Sequence, residues 1–167
     1  DVYKRQVRDS RVRAVSFTGS TRVGKLVLQA AAQDVKKVAL ELGGNAPFIV
    51  CADADLELAV RVAVAAKFQT SGQDCCAANR IMVQRPLYEA FLVRFAEAVR
   101  ALKVGPAMVD GEETAAEVGP LMHQAAFDAT QARVEDALQR GARRLVGGEG
   151  HAPVSYTHLT LPTKRIV

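Results

Sequence analysis

The stretch from Arg13 to Gly44 limits the fold more than any other part of the chain. It opens on RAVSF, Arg13 to Phe17, which reads as a short strand, and continues into the polar turn TGST. A helical pattern follows from about Arg22 to Gln33, with Ser20 or Thr21 as cap and Leu26, Val27, Ala30 and Ala31 as its apolar face. KKVALELGG then gives a second strand, stopped by Gly43 and Gly44. Two strands joined through a helix are not a hairpin. A connection of that length suits parallel pairing, so the unit is β-α-β and the expected class is α/β.

The rest of the chain continues the alternation. APFIVCA, Ala46 to Ala52, is a third apolar run, and Asp53 and Asp55 then put negative charge where a helix N-terminus favours it. From Leu56 to Phe68 the pattern is apolar nearly all round, which predicts a buried helix. That helix runs into FQTSGQDCCAANR, Phe68 to Arg80, and the strand RIMVQ follows. Pro86 marks a helix start, and Tyr88, Phe91, Leu92, Phe95, Val99 and Leu102 recur at helical spacing until Gly105. A polar region, Val109 to Glu117, leads to a helix through Phe127, Val134 and Leu138 that Gly141 ends. ARRLVGG reads as a last strand. There is no internal repeat and no low-complexity linker.

Composition removes several classes of function. An apolar fraction of 49% and a charged fraction of 24% are those of an ordinary globular chain. No apolar run is long enough to span a membrane, no stretch reads as a secretory leader, and three cysteines make no disulfide framework. A reducing cytoplasm is the expected compartment. A net charge of +4 would suit nucleic acid, but much of it lies at the ends. Residues 1–6 (DVYKRQ) and 154–167 (VSYTHLTLPTKRIV) resemble translated adapter sequence and are set aside from the fold. What remains has no basic stripe, no interleaved aromatics and no tryptophan, so neither nucleic acid nor membrane is an expected partner.

Three short segments could carry chemistry, and each has a plainer reading. The turn Thr18 to Gly24 exposes backbone amides that a phosphate could approach past Gly19, or it is simply a tight strand–helix turn with a serine cap. Glu41, flanked by apolar residues, is either a buried acid tuned towards general-base work or a strand-end glutamate turned to solvent. Cys75 sits among Thr70, Ser71, Gly72, Gln73 and Asp74, a loop composition that argues against a core cysteine. The usual zinc-ligand spacings are missing, so no metal site is expected. A nucleophile in an electropositive or cofactor-lined pocket is the better reading, with a cysteine hydrolase using His123 as the alternative.

In order along the chain, FTGSTRVGK, LELGGNAP and GQDCCAANR resemble the aldehyde dehydrogenase superfamily, whose pattern is F-T-G-S-T-x-x-G, then E-L-G-G, then G-Q-x-C. The separation of Glu41 from Cys75 also matches the family's usual spacing. The wording VKKVALELGGNAPFIV, DADLE and AANR is most similar to the succinate-semialdehyde dehydrogenase branch. The resemblance runs from about Val12 to about Gly148, only part of a full-length member, and so implies an internal fragment. It implies that residues 7–42 end a Rossmann-like NAD(P)-binding domain and residues 43–153 begin the α/β catalytic domain.

By the same resemblance Cys75, not Cys76, is the nucleophile, and Glu41 is the base that activates the hydrolytic water. Gly19 and Ser20 lie by the phosphates of NAD or NADP, and Leu42 by the nicotinamide carboxamide. The substrate is a small-molecule aldehyde and the whole protein a homo-oligomer. The fragment alone is expected to be inactive, since other family site residues fall outside it. Two departures bear on substrate and reactivity. Gln69 stands where the branch usually has an arginine, and Cys75 and Cys76 are adjacent with Ala77 next where it often has cysteines at alternate positions; Asp74, unless turned away, would raise the thiol pKa. A noncatalytic module retaining the fold is the second reading, ahead of the cysteine hydrolase.

Overall fold

The computed structural model describes residues 2–147 and 160–163. It divides into two compact units, Asp1–Gly44 and Asn45–Val167.

In the first unit, helix α1 (Val2–Arg8) precedes strand β1 (Ala14–Gly19), helix α2 (Thr21–Ala32) and strand β2 (Lys37–Leu42). β1 and β2 pair in parallel from Ala14 opposite Lys37 to Gly19 opposite Leu42, the β-α-β unit the sequence predicts. Alternation sets the faces: Val15, Phe17, Val38, Leu40 and Leu42 turn inward by halves, while Ser16, Thr18, Ala39 and Glu41 are exposed. Ser20 caps α2, its Oγ accepting from the Val23 amide at 3.4 Å. The helix face differs from the expected one. Gly24 and Ala31 are buried, whereas Leu26 is 52% exposed, because a two-stranded sheet covers only one narrow side of the helix. Lys36 is buried beside this sheet. Its Nζ donates to the carbonyls of Asp9 (2.5 Å) and Val12 (2.9 Å) and pairs with Asp34 at 3.0 Å.

The second unit opens with strand β3 (Ala46–Val50), helix α3 (Leu56–Phe68), strand β4 (Ala78–Val83) and helix α4 (Arg85–Ala101). β3 and β4 are again parallel. Asp55 caps α3, its Oδ1 accepting from Leu58 at 2.7 Å, and α4 carries its proline in the first turn. Val50, Val60, Phe68, Phe91, Phe95, Val99 and Val118 form the core. The rings of Phe91 and Phe95 stack with centroids 5.3 Å apart. α3 is not buried all round: Val60, Ala63 and Phe68 face the core, while Leu58 and Val62 remain 47% and 44% exposed.

The polar region contains a small hairpin of β5 (Met108–Val109) and β6 (Glu112–Glu113). It turns at Asp110 and Gly111, both at positive φ as a two-residue hairpin turn requires. Helix α5 (Gln124–Gln139), capped by His123, and strand β7 (Arg143–Gly147) follow, and β7 pairs antiparallel with β8 (Thr160–Thr163). Of the end segments set aside above, residues 2–6 lie in α1 and residues 160–163 form β8; Asp1, 154–159 and 164–167 lie outside the described residues. No helix among the described residues is long and apolar enough to cross a membrane.

Candidate active site

The carboxyl ends of β1 and β2 bring four of the predicted residues together. Gly19 stands opposite Leu42 in the ladder, Glu41 is one residue back, and Ser20 opens α2. Ligands bind parallel α/β sheets at this end, where helix amides point outward. The first turn of α2 carries no acidic side chain and includes Arg22, and the amides of Thr21 and Arg22 precede any helical acceptor. Glycine is required where the pieces close on one another. A Cβ at Gly24 would meet Leu42 Cδ2 at 2.6 Å, and one at Gly19 would meet the Phe17 ring at 2.5 Å. A close, electropositive strand–helix turn fits the phosphate of a dinucleotide. Glu41 is exposed on the strand face opposite Leu42, so the plainer of its two sequence readings describes its burial.

Cys75 belongs to the second unit, on the loop between α3 and β4. α3 ends at Phe68 in a tight turn, Gln69–Gly72, where Thr70 (φ 53°), Ser71 (φ 58°) and Gly72 (φ 71°) are successively left-handed. For threonine and serine that conformation is costly and persists only where surroundings impose it. Contacts from distant chain supply the imposition. Ser71 Oγ accepts from the Gly119 amide at 2.7 Å, and the Gln73 amide group donates to Pro120 O and accepts from Met122 N, both at 3.1 Å. Lys67 Nζ donates to Asn79 Oδ1 at 2.7 Å, tying together the two ends of the loop. Its partial burial pulls the ammonium below its ordinary pKa. Gln73 lies inside the G-Q-x-C motif, and its amide, able to donate and accept at once, is the sequence signal for this bridging role.

The loop presents three reactive side chains at its tip. Cys75 and Cys76 are both exposed, their sulfurs 3.7 Å apart. Asp74 Oδ1 accepts from the Cys76 amide at 3.0 Å, which fixes the carboxylate beside them. That amide, and then the Cys75 thiol, hold Asp74 below the usual carboxylate range. The Cys75 thiol is pushed up, first by its hydrogen bond with Cys76 and then by Asp74. The loop places a carboxylate at the thiol. Gln69 is exposed at the end of α3, and His123 is engaged as a helix cap, its Nδ1 accepting from Ala126 at 3.0 Å.

Residues 1–163 match the sequence profile of the Aldehyde dehydrogenase family, and the chain belongs to that family. It is 52% identical over 153 residues to an aspartate-semialdehyde dehydrogenase (non-phosphorylating) from Halomonas elongata, covering 92% of this chain and 30% of that protein. It is 50% identical over 141 residues to a mitochondrial succinate-semialdehyde dehydrogenase from Arabidopsis thaliana, covering 84% and 26%. The crystal structure of succinate-semialdehyde dehydrogenase from Burkholderia pseudomallei superposes with a TM-score of 0.87 at 43% identity, over 94% of this chain and 32% of that one. The α/β class and the family resemblance read from sequence both hold. The chain spans 30% or less of the length of the two relatives it was aligned with.

Proposed function

We propose that the whole protein containing this chain is an NAD- or NADP-dependent aldehyde dehydrogenase acting on an acid-bearing semialdehyde. The observation that carries this reading is the exposed Cys75 thiol on a loop pinned by Ser71 and Gln73. The Cys75 thiolate attacks the aldehyde carbon, and its backbone amide is one donor to the oxyanion. NAD or NADP, held at Gly19, Ser20 and Leu42, supplies the hydride acceptor. Cys75 then holds the acyl group as a thioester until Glu41 takes a proton from the water that releases the acid.

In this reading residues 7–42 end the cofactor domain and residues 43–153 supply part of the catalytic domain. The whole protein is a cytoplasmic homo-oligomer. The relatives' names both denote aldehydes that carry a carboxylate, which supports the substrate class. Gln69 makes succinate semialdehyde itself the finer question, since a neutral amide cannot clamp a carboxylate as a guanidinium does.

Replacing each thiol in the whole protein tests the nucleophile. Cys75→Ser abolishes cofactor reduction and Cys76→Ser loses far less; equal losses would remove Cys75 from its role. Acid release without NAD or NADP would mark a hydrolase. Glu41→Gln leaves one burst of reduced cofactor per site and then slows turnover by roughly a hundredfold to ten-thousandfold, the usual worth of a general base. A parental steady-state rate would make Glu41 a bystander.

A further inference from the structure

The tip of the cysteine loop has a geometry that the proposed reaction does not need. One Asp74 carboxylate oxygen and the sulfurs of Cys75 and Cys76 all lie within 4.8 Å of one another, and all three residues are exposed. Two thiolates bound tetrahedrally to zinc at about 2.3 Å would stand about 3.8 Å apart. The observed separation is 3.7 Å. The carboxylate is held beside the sulfurs by the Cys76 amide, which donates to Asp74 Oδ1 at 3.0 Å.

We propose that Asp74, Cys75 and Cys76 form a binding site for a soft divalent cation, zinc or cadmium, with two thiolates and one carboxylate oxygen as ligands. Thiolate ligands select such ions over magnesium and calcium, which prefer oxygen. Three protein ligands leave a fourth position for water. Binding forms two metal–sulfur bonds and one metal–oxygen bond, displaces water from the aquo ion and releases the two thiol protons to solvent. The site goes beyond the reaction proposed above. Its consequence, reversible inhibition by capture of the attacking sulfur, rests on the reading of Cys75 as nucleophile.

The test titrates Cd²⁺ into the reduced, metal-free whole protein and follows the cadmium–thiolate charge-transfer band, with excess Mg²⁺ present. The expected result is a saturable band whose apparent affinity falls at least about tenfold in Cys76→Ser and again in the isosteric Asp74→Asn, losses of the size seen when metal-site residues are removed. Circular dichroism confirms that both variants keep the parental fold. Absence of a saturable band in the parent overturns the site. So does parental affinity in either variant. The band is read without aldehyde or cofactor, so it fails only if the ion site fails, and turnover tests the nucleophile separately.

Discussion

In the second unit, Phe68, Phe91, Phe95 and Val99 close a core from two helices and a strand pair. In the first, α2 rests on β1 and β2 with Ala31, Gly24 and the stem of Lys36 as its buried contacts among the described residues, while Leu26, Leu28 and Val35 stay exposed. Both units are built on two parallel strands, an arrangement that normally needs cover on both faces. In the second unit one face of β3 meets the helices at Phe48 and Val50, while Ile49 on the other face is 65% exposed. The first closes on half-buried side chains (Val15, Phe17, Val38, Leu40 and Leu42) with the Gly24–Leu42 contact and the bonds of Lys36 beside them. The candidate cofactor turn is thus carried by the unit with fewer fully buried side chains and the candidate nucleophile by the one that holds the larger core.

Phe95→Ala breaks the comparison at its strongest point. Phe95 is 4% exposed and stacked on Phe91, so the variant should lose about 3–5 kcal/mol in urea unfolding, the usual range for a buried phenylalanine. Leu26→Ala, at an exposed position of the first unit, should cost less than about 1 kcal/mol. Equal losses would mean that the first unit has a core of comparable worth.

Gly24→Val is next in size. Its Cβ would lie 2.6 Å from Leu42 Cδ2, so α2 must lift or Leu42 must turn, at a cost of about 2 kcal/mol. Amides of β1 and β2 should then exchange hydrogen faster while those of β3 and β4 do not. Unchanged exchange in β2 would show that this contact does not hold the first unit together.

Gln73→Ala should cost about 1–2 kcal/mol, for two hydrogen bonds lost at an exposed site. The readout is local: proteolysis within residues 69–77 should quicken while the Phe91–Phe95 core stays intact. Asp74→Asn has the smallest energetic effect. Cys75 is pushed up by Cys76 and then by Asp74, so removing the carboxylate charge lowers the thiol pKa. More thiolate is then present at neutral pH, and alkylation of Cys75 quickens there. An unmoved pH profile would show that Asp74 does not act on this sulfur.

The elements legible in the sequence are those specified by neighbouring residues. Ser20 and Asp55 cap their helices, Pro86 opens α4, and the spacing of Phe91, Phe95 and Val99 marks the buried face. Legibility fails where partners are distant or sit outside the segment. Leu26, Leu58 and Val62 have apolar character without a described neighbour to cover them, so periodicity overstates their burial. The face of Glu41 follows from strand alternation, which an apolar flank on both sides hides. The Asp110–Gly111 dipeptide is itself a hairpin signal, which the polarity of the surrounding Val109–Glu117 stretch hides. At the candidate site, motif order singles out Cys75, Glu41, Gly19, Ser20 and Leu42 as candidates, whereas the bonds from Gln73 to Pro120 and Met122 join residues too far apart for any local pattern.

The bond from Gly119 to Ser71 spans 48 residues of chain, and it helps impose the left-handed Thr70 and Ser71 that no local preference would choose. The posture of the cysteine is thus partly written in another segment. Exchanging residues 119–122 for a counterpart of different shape would retune the thiol while leaving every residue of its own loop in place. For anyone reshaping this loop, the adjustable part is the bracket that holds it.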